Sequence, residues 1–154
     1  MISEQQKKIL VIEDDEDIRT IVVTRLKRAS CETIVAANGQ DGLRRFYGDR
    51  PDLVVLDISM PVMDGWQVLE RLREVSEVPV LFLTSASQER DKLRGLRSGA
   101  DDYITKPFSG EELLARVERT RHLLPQGAFA HLINKDFNNG QRNISLKQRL
   151  THFA

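Results

Sequence analysis

Three short apolar runs constrain this chain most, because they are continuous rather than alternating. They are Ile9-Leu10-Val11-Ile12, Leu53-Val54-Val55-Leu56 and Val80-Leu81-Phe82-Leu83. A strand with one wet face alternates apolar and polar residues; an unbroken apolar strand is buried on both faces, as in a parallel sheet. Between the runs the period changes to helical. Ile18, Ile21, Val22, Leu26 and Ala29 fall at steps of three and four, which predicts one apolar helix face. Asp15 is placed to cap that helix, with Glu16 and Asp17 at the positive end of its dipole. A second strand is expected over 33–37 and a second helix over 40–47, with Leu43 and Phe46 inward. Asp64 is placed to cap a third helix carrying Val68, Leu69 and Leu72. A fourth helix is expected over 89–98, followed by Gly99 as a left-handed cap. A short polar edge strand is expected over 102–105, and a fifth helix over 111–124 with Leu113, Leu114, Val117 and Leu124 on its apolar side. Five strand–helix units within one domain length predict an α/β fold, with helices on both faces of the sheet.

In such folds ligands bind beyond the carboxyl ends of the strands, so the residues there carry the functional reading. Strand one ends at Glu13 and Asp14, strand three at Asp57, strand four at Thr84, and strand five runs into Lys106-Pro107. Clustered carboxylates repel unless protonated or neutralised. A hard divalent cation such as Mg²⁺ is the natural remedy, and it bridges to a phosphoryl oxygen while Lys106 and Thr84 hold the others. Asp57 is then the nucleophile, forming an acyl phosphate.

Five segments together resemble the response regulator receiver domain of two-component signalling. They are Ile9-Leu10-Val11-Ile12-Glu13-Asp14-Asp15, Leu56-Asp57, Met60-Pro61-Val62-Met63-Asp64-Gly65, Leu83-Thr84-Ser85-Ala86, and Gly99-Ala100-Asp101-Asp102-Tyr103-Ile104-Thr105-Lys106-Pro107-Phe108. The resemblance implies a flavodoxin-like doubly wound sheet of strand order 2-1-3-4-5 with five helices. It implies that Asp57 accepts phosphate from a sensor histidine kinase, in a phosphoacceptor that promotes its own phosphotransfer and autodephosphorylation and is not classed as an enzyme. Asp14 and Asp57 would ligate Mg²⁺ directly, Glu13 mostly through water, and Ser59 through its backbone carbonyl. Thr84 and Tyr103 would form the switch pair, Lys106 would contact the phosphoryl group, and the Lys106–Pro107 bond would be cis. From Asp91 through Arg116 the chain resembles the OmpR/PhoB branch of transcription factors. That branch implies a homodimer on phosphorylation, across a face carrying Lys92, Asp102, Glu112 and Arg116.

The chain has 154 residues. Residues 1–124 are read as the receiver domain and 125–154 as a linker with the truncated start of a winged-helix DNA-binding effector domain. Pro125-Gln126-Gly127 breaks the fifth helix. Asn138-Asn139-Gly140 is a hairpin-type signal beyond it. This tail carries Lys135, Arg142, Lys147 and Arg149 against Asp136 alone. The whole chain balances 23 basic against 23 acidic side chains, which argues against a surface built throughout for nucleic acid. DNA contact is therefore expected only through the effector part. No apolar run reaches the ~18 residues of a membrane span. The single cysteine, Cys31, allows no intrachain disulfide, so a cytoplasmic protein is expected. Rival chemistries fit poorly. A dinucleotide-binding domain needs glycines after strand one, where this chain has Glu13-Asp14-Asp15-Glu16. A phosphohydrolase needs a second acid near Asp57, and Ser59 offers none. A receiver that never takes phosphate would not need Asp14, Asp57, Thr84 and Lys106 together. No Gly-x-Ser-x-Gly motif is present.

Overall fold

The computed structural model describes residues 6–85 and 99–123. Five parallel strands form one sheet in the order β2-β1-β3-β4-β5. They are β1 (Lys8–Ile12), β2 (Glu32–Ala36), β3 (Leu53–Asp57), β4 (Val80–Ser85) and β5 (Asp102–Lys106). Four helices are described: α1 (Glu16–Arg28), α2 (Gly39–Asp49), α3 (Gly65–Val75) and α4 (Gly110–Leu123). The last corresponds to the fifth helix expected from sequence. The expected helix over 89–98, with Lys92, lies outside the described residues, as do Leu124 and the tail.

The continuous apolar strands split their side chains between two cores. Leu10, Ile12, Val54, Leu56, Val80 and Phe82 face one cluster with Phe46 of α2 and Trp66, Val68, Leu69 and Leu72 of α3. Ile9, Val11, Leu53, Val55, Leu81, Leu83 and Ile104 face the other with Val22 and Leu26 of α1 and Leu113 and Val117 of α4. The two-residue period of a strand sends neighbours to opposite faces, so both faces need apolar residues. Trp66 is part of the first core and meets Phe82 edge to face at 4.9 Å. Cys31 is half-buried against the second core. Ile21 departs from its expected place on the packed face of α1: it is 53% exposed, because Val22 and Leu26 set the buried stripe and Ile21 falls on its flank.

Caps fix where the helices begin. Asp15 accepts from the backbone N–H of Asp17 and Ile18. Asn38 caps α2 through Asp41, and Asp64 forms a capping box with Gln67 at α3. The loops into α1 and α2 are short, three and two residues, whereas seven residues lead from β3 into α3. Gly65 lets α3 start directly against the backbone at the end of β3. A Cβ there would stand 2.5 Å from the Asp57 carbonyl oxygen and 2.7 Å from Ile58 Cα. Both are backbone atoms with no room to yield.

Candidate functional site

Adjacent parallel strands bring the expected residues to one rim. Ile12 pairs with Leu56 across β1 and β3, so the next residues in each strand, Glu13 and Asp57, emerge side by side. Asp57 in turn is level with Leu83 of β4, and Thr84 with Thr105 of β5. One carboxylate oxygen from each of Glu13, Asp14 and Asp57 lies within 4.8 Å of the other two. Glu13 and Asp57 are buried, and Asp14 is exposed. Lys106 reaches back from the end of β5. Its Nζ stands 3.2 Å from Asp57 Oδ1 and 3.3 Å from Glu13 Oε2. The Lys106–Pro107 peptide is cis.

The backbone supplies further donors. The Ser59 N–H donates to Asp57 Oδ1 at 3.2 Å, and the Asp15 N–H donates to Glu13 Oε1 at 3.2 Å. Thr84 is buried beside the rim. Tyr103 is half-buried and packs against the Trp66–Phe82 core. The rim therefore holds a buried acid pair, an exposed third acid, and one ammonium close to both buried acids.

The proton affinities follow from that crowding. Burial, and then the neighbouring Asp57 carboxylate, push Glu13 up from 4.5 to about 7, with Lys106 opposing. Burial likewise raises Asp57 above the ordinary carboxylate range. Lys106 opposes this shift, and the Asp14 carboxyl adds to it. For Lys106, burial acts to lower the affinity. The charges of Asp57 and then Glu13 outweigh it, and the net shift is upward. A single lysine does not balance three carboxylates. Oxygen-only donors, two of them buried, suit a hard divalent cation that keeps part of its water shell.

The comparisons with known proteins agree with this geometry. Residues 9–118 match the response regulator receiver domain family. The chain belongs to that family. The receiver is 49% identical over 113 residues to the protein named Probable transcriptional regulator ycf27 from Porphyridium aerugineum, covering 73% of this chain and 47% of that protein. It is 44% identical over 113 residues to the alkaline phosphatase synthesis transcriptional regulatory protein PhoP of Bacillus subtilis (strain 168), covering 73% of this chain and 47% of that protein. Such relatives are OmpR/PhoB-family transcriptional regulators. The chain spans about half the length of the curated relatives it matches. Among solved structures, the Francisella response regulator 1452 receiver domain superposes with a TM-score of 0.71 at 36% identity, over 76% of this chain and 98% of that one. Receiver domains are generally not classed as enzymes. Among the described residues, no helix is long and apolar enough to cross a membrane.

Two contacts in the receiver were not visible in the sequence. Arg19, one turn into α1, donates from Nη1 to the Glu13 carbonyl oxygen at 2.8 Å. This holds the backbone of an acidic residue in place through a contact that no side-chain pattern encodes. The second concerns the expected dimer face. Arg116 Nη1 lies 3.3 Å from both carboxylate oxygens of Asp102 in the same chain, while Glu112 is exposed on the first turn of α4. Lys92 lies outside the described residues.

Proposed function

We propose that Asp57 accepts a phosphoryl group from the phosphohistidine of a sensor histidine kinase. The observation that carries this reading is the approach of Lys106 to 3.2 Å from Asp57 Oδ1, beside three carboxylates gathered within 4.8 Å. Asp14 and Asp57 would hold Mg²⁺ directly, with the Ser59 carbonyl, and Glu13 through water. The bound ion supplies positive charge against the equatorial phosphoryl oxygens. An Asp57 carboxylate oxygen attacks phosphorus, the P–N bond breaks, and its electron pair returns to the imidazole. Lys106 pairs with a phosphoryl oxygen, and the Ser59 N–H steadies the acyl oxygen. Attack of water on the phosphoaspartate later regenerates Asp57.

The response then passes to the opposite face of β5. Thr84 turns toward the new phosphoryl oxygens, Tyr103 moves into the space it leaves, and the face bearing Lys92, Asp102, Glu112 and Arg116 becomes a homodimer surface. Residues 125–154 are the start of a winged-helix effector domain through which the whole protein contacts DNA to control transcription. The OmpR/PhoB relatives, about twice as long as the matched segment, support that organisation. The setting is cytoplasmic, where kinase and DNA are both accessible.

Intact mass after incubation with acetyl phosphate and Mg²⁺ tests the chemistry. Wild type gains one phosphoryl group, and chelation of the metal prevents the gain. Asp57→Asn removes the anionic nucleophile and gains none. Full labelling of Asp57→Asn at another residue would overturn the assignment.

A further inference from the structure

The outer edge of β2 carries a groove that the phosphoacceptor chemistry does not use. Its cavity is about 580 Å³, within the ~300–1,000 Å³ of ligand sites. Val35, Ala36 and Ala37 form the floor, and α1 and α2 form the walls through Arg19, Arg44 and Gly48, among others. β2 is an edge strand. Its register leaves backbone groups open on that side. Glu32 donates its N–H to the Lys7 carbonyl, and the Ala36 carbonyl accepts from the Glu13 N–H. Even-numbered residues therefore bond inward to β1, and Thr33 and Val35 direct N–H and C=O outward, Val35 at the groove itself. Val35 is also 43% exposed.

The charges in the groove are unequal. Arg44 pairs with Asp41 at 3.2 Å and Arg45 with Asp49 at 3.9 Å. Arg19 has no ion-pair partner among the described residues and bonds only the Glu13 carbonyl. A half-buried guanidinium offers five N–H donors in a fixed fork that fits a carboxylate. Gly48 adds an independent sign. Glycine inside a helix is unfavourable. In α2, Gly39 and Gly42 are explained by Met63, Val68 and Ile12, which an added Cβ would strike, whereas nothing stands within 4 Å of a Cβ at Gly48. No packing requires that glycine, and its effect is to keep the groove open.

We propose that this groove receives an extended acidic segment of a partner protein. The segment adds as a further strand to the open edge of β2 and seats a carboxylate on Arg19. Strand addition supplies affinity through main-chain bonds and specificity through alternate side chains. The chain's own tail has the wrong sign for the groove, with four basic side chains against one acidic over 125–154. Occupation would also bear on the rim, since the same guanidinium holds Glu13.

The test is titration of the full chain with the capped pentapeptide Val-Glu-Val-Glu-Val, followed by backbone amide shifts. Sub-millimolar binding is expected, with shifts confined to β2, α2, Arg19 and the Glu13 backbone that Arg19 holds. Arg19→Gln should weaken it at least about tenfold. Gly48→Leu fills the groove at a position with free space, so it should fold with an unchanged circular dichroism spectrum and also lose binding. A central proline in the peptide removes a ladder donor and should abolish the shifts. Several results would overturn the proposal: no shifts at a few millimolar peptide, equal binding of Val-Lys-Val-Lys-Val, equal binding of glutarate alone, or shifts mapping elsewhere.

Discussion

Val62 adopts a conformation that its side chain opposes. Its φ is 70°, and the Met63 N–H bonds back to the Pro61 carbonyl at 2.8 Å. This is the rare positive-φ form of the three-residue turn. A β-branched residue is a genuine outlier there, and Val62 is 94% exposed, so no packing offsets the strain. Left-handed backbone costs an L-residue ~1–2 kcal/mol. Val62→Gly should therefore stabilise the protein by about 1 kcal/mol after glycine's own entropy is counted, read as a higher urea midpoint at unchanged slope. A lower midpoint would show that the valine contributes something other than strain. The sequence displayed Val62 within a recognisable motif, but a residue's φ is not written in its neighbours. Glu13, Asp14, Asp57 and Lys106 were legible for the opposite reason: each ends a strand, and strand ends converge by topology alone. Arg19 was not legible, because its partner is a main-chain oxygen that every residue possesses.

Among the elements, α3 is fastened to the far end of the sheet by a buried ionic contact. Arg73 donates to the Gly99 carbonyl from Nε at 3.1 Å and Nη2 at 2.8 Å, and Nη2 lies 3.5 Å from Asp101 Oδ2. Asp101 also accepts from the Val80 N–H at 2.7 Å. One guanidinium thus joins the C-terminal half of α3, the entry to β4 and the turn into β5. Arg73→Leu would leave the Asp101 charge and the Gly99 carbonyl buried without it. Removing one partner of such a pair costs ~3–5 kcal/mol, and chemical denaturation should show a loss of that order. A loss under about 1 kcal/mol would mean that water replaces the arginine. Spacing could not reveal this contact, since its members lie 26 and 28 residues apart, and Asp101 reads in sequence as half of an acidic doublet. The same blindness affected Asp102 and Arg116. Their opposite charges were evident, but charge pattern does not distinguish a partner in the same chain from one in a second copy. Element boundaries were read more closely: strand two was expected over 33–37 and runs from Glu32 to Ala36, a shift of one residue that leaves the facing unchanged.

At the scale of the whole molecule, two behaviours follow from charge. Glu13 binds its proton more tightly when folded, and Asp57 shifts in the same direction. In metal-free protein the folded state therefore holds more protons than the unfolded state between pH 4.5 and about 7, and stability falls as pH rises through that window. The thermal midpoint in chelator should drop across it, less so in Glu13→Gln, while Mg²⁺ should stabilise more at pH 7.5 than at pH 5. A midpoint that climbs equally in both proteins would remove Glu13 as the cause. The second behaviour concerns association. With Asp102 already bonded to Arg116 at 3.3 Å, a two-fold dimer must exchange an internal pair for an external one. Asp102 is buried and Arg116 half-buried, so opening the internal pair has a cost that the pair between subunits must offset. Beryllofluoride-activated protein should sediment as a dimer, and Arg116→Glu should loosen it several-fold; a monomer at high micromolar concentration after confirmed activation would exclude this face. Finally, β3 is buried at all five of its residues and lies between β1 and β4 under both cores. Its amides should therefore be among the slowest of the described residues to exchange with solvent. Asp57 thus ends a strand that is buried along its whole length. Chemistry there meets a fixed anvil, and any motion it provokes is directed outward, into the loops and edges that are free to give way.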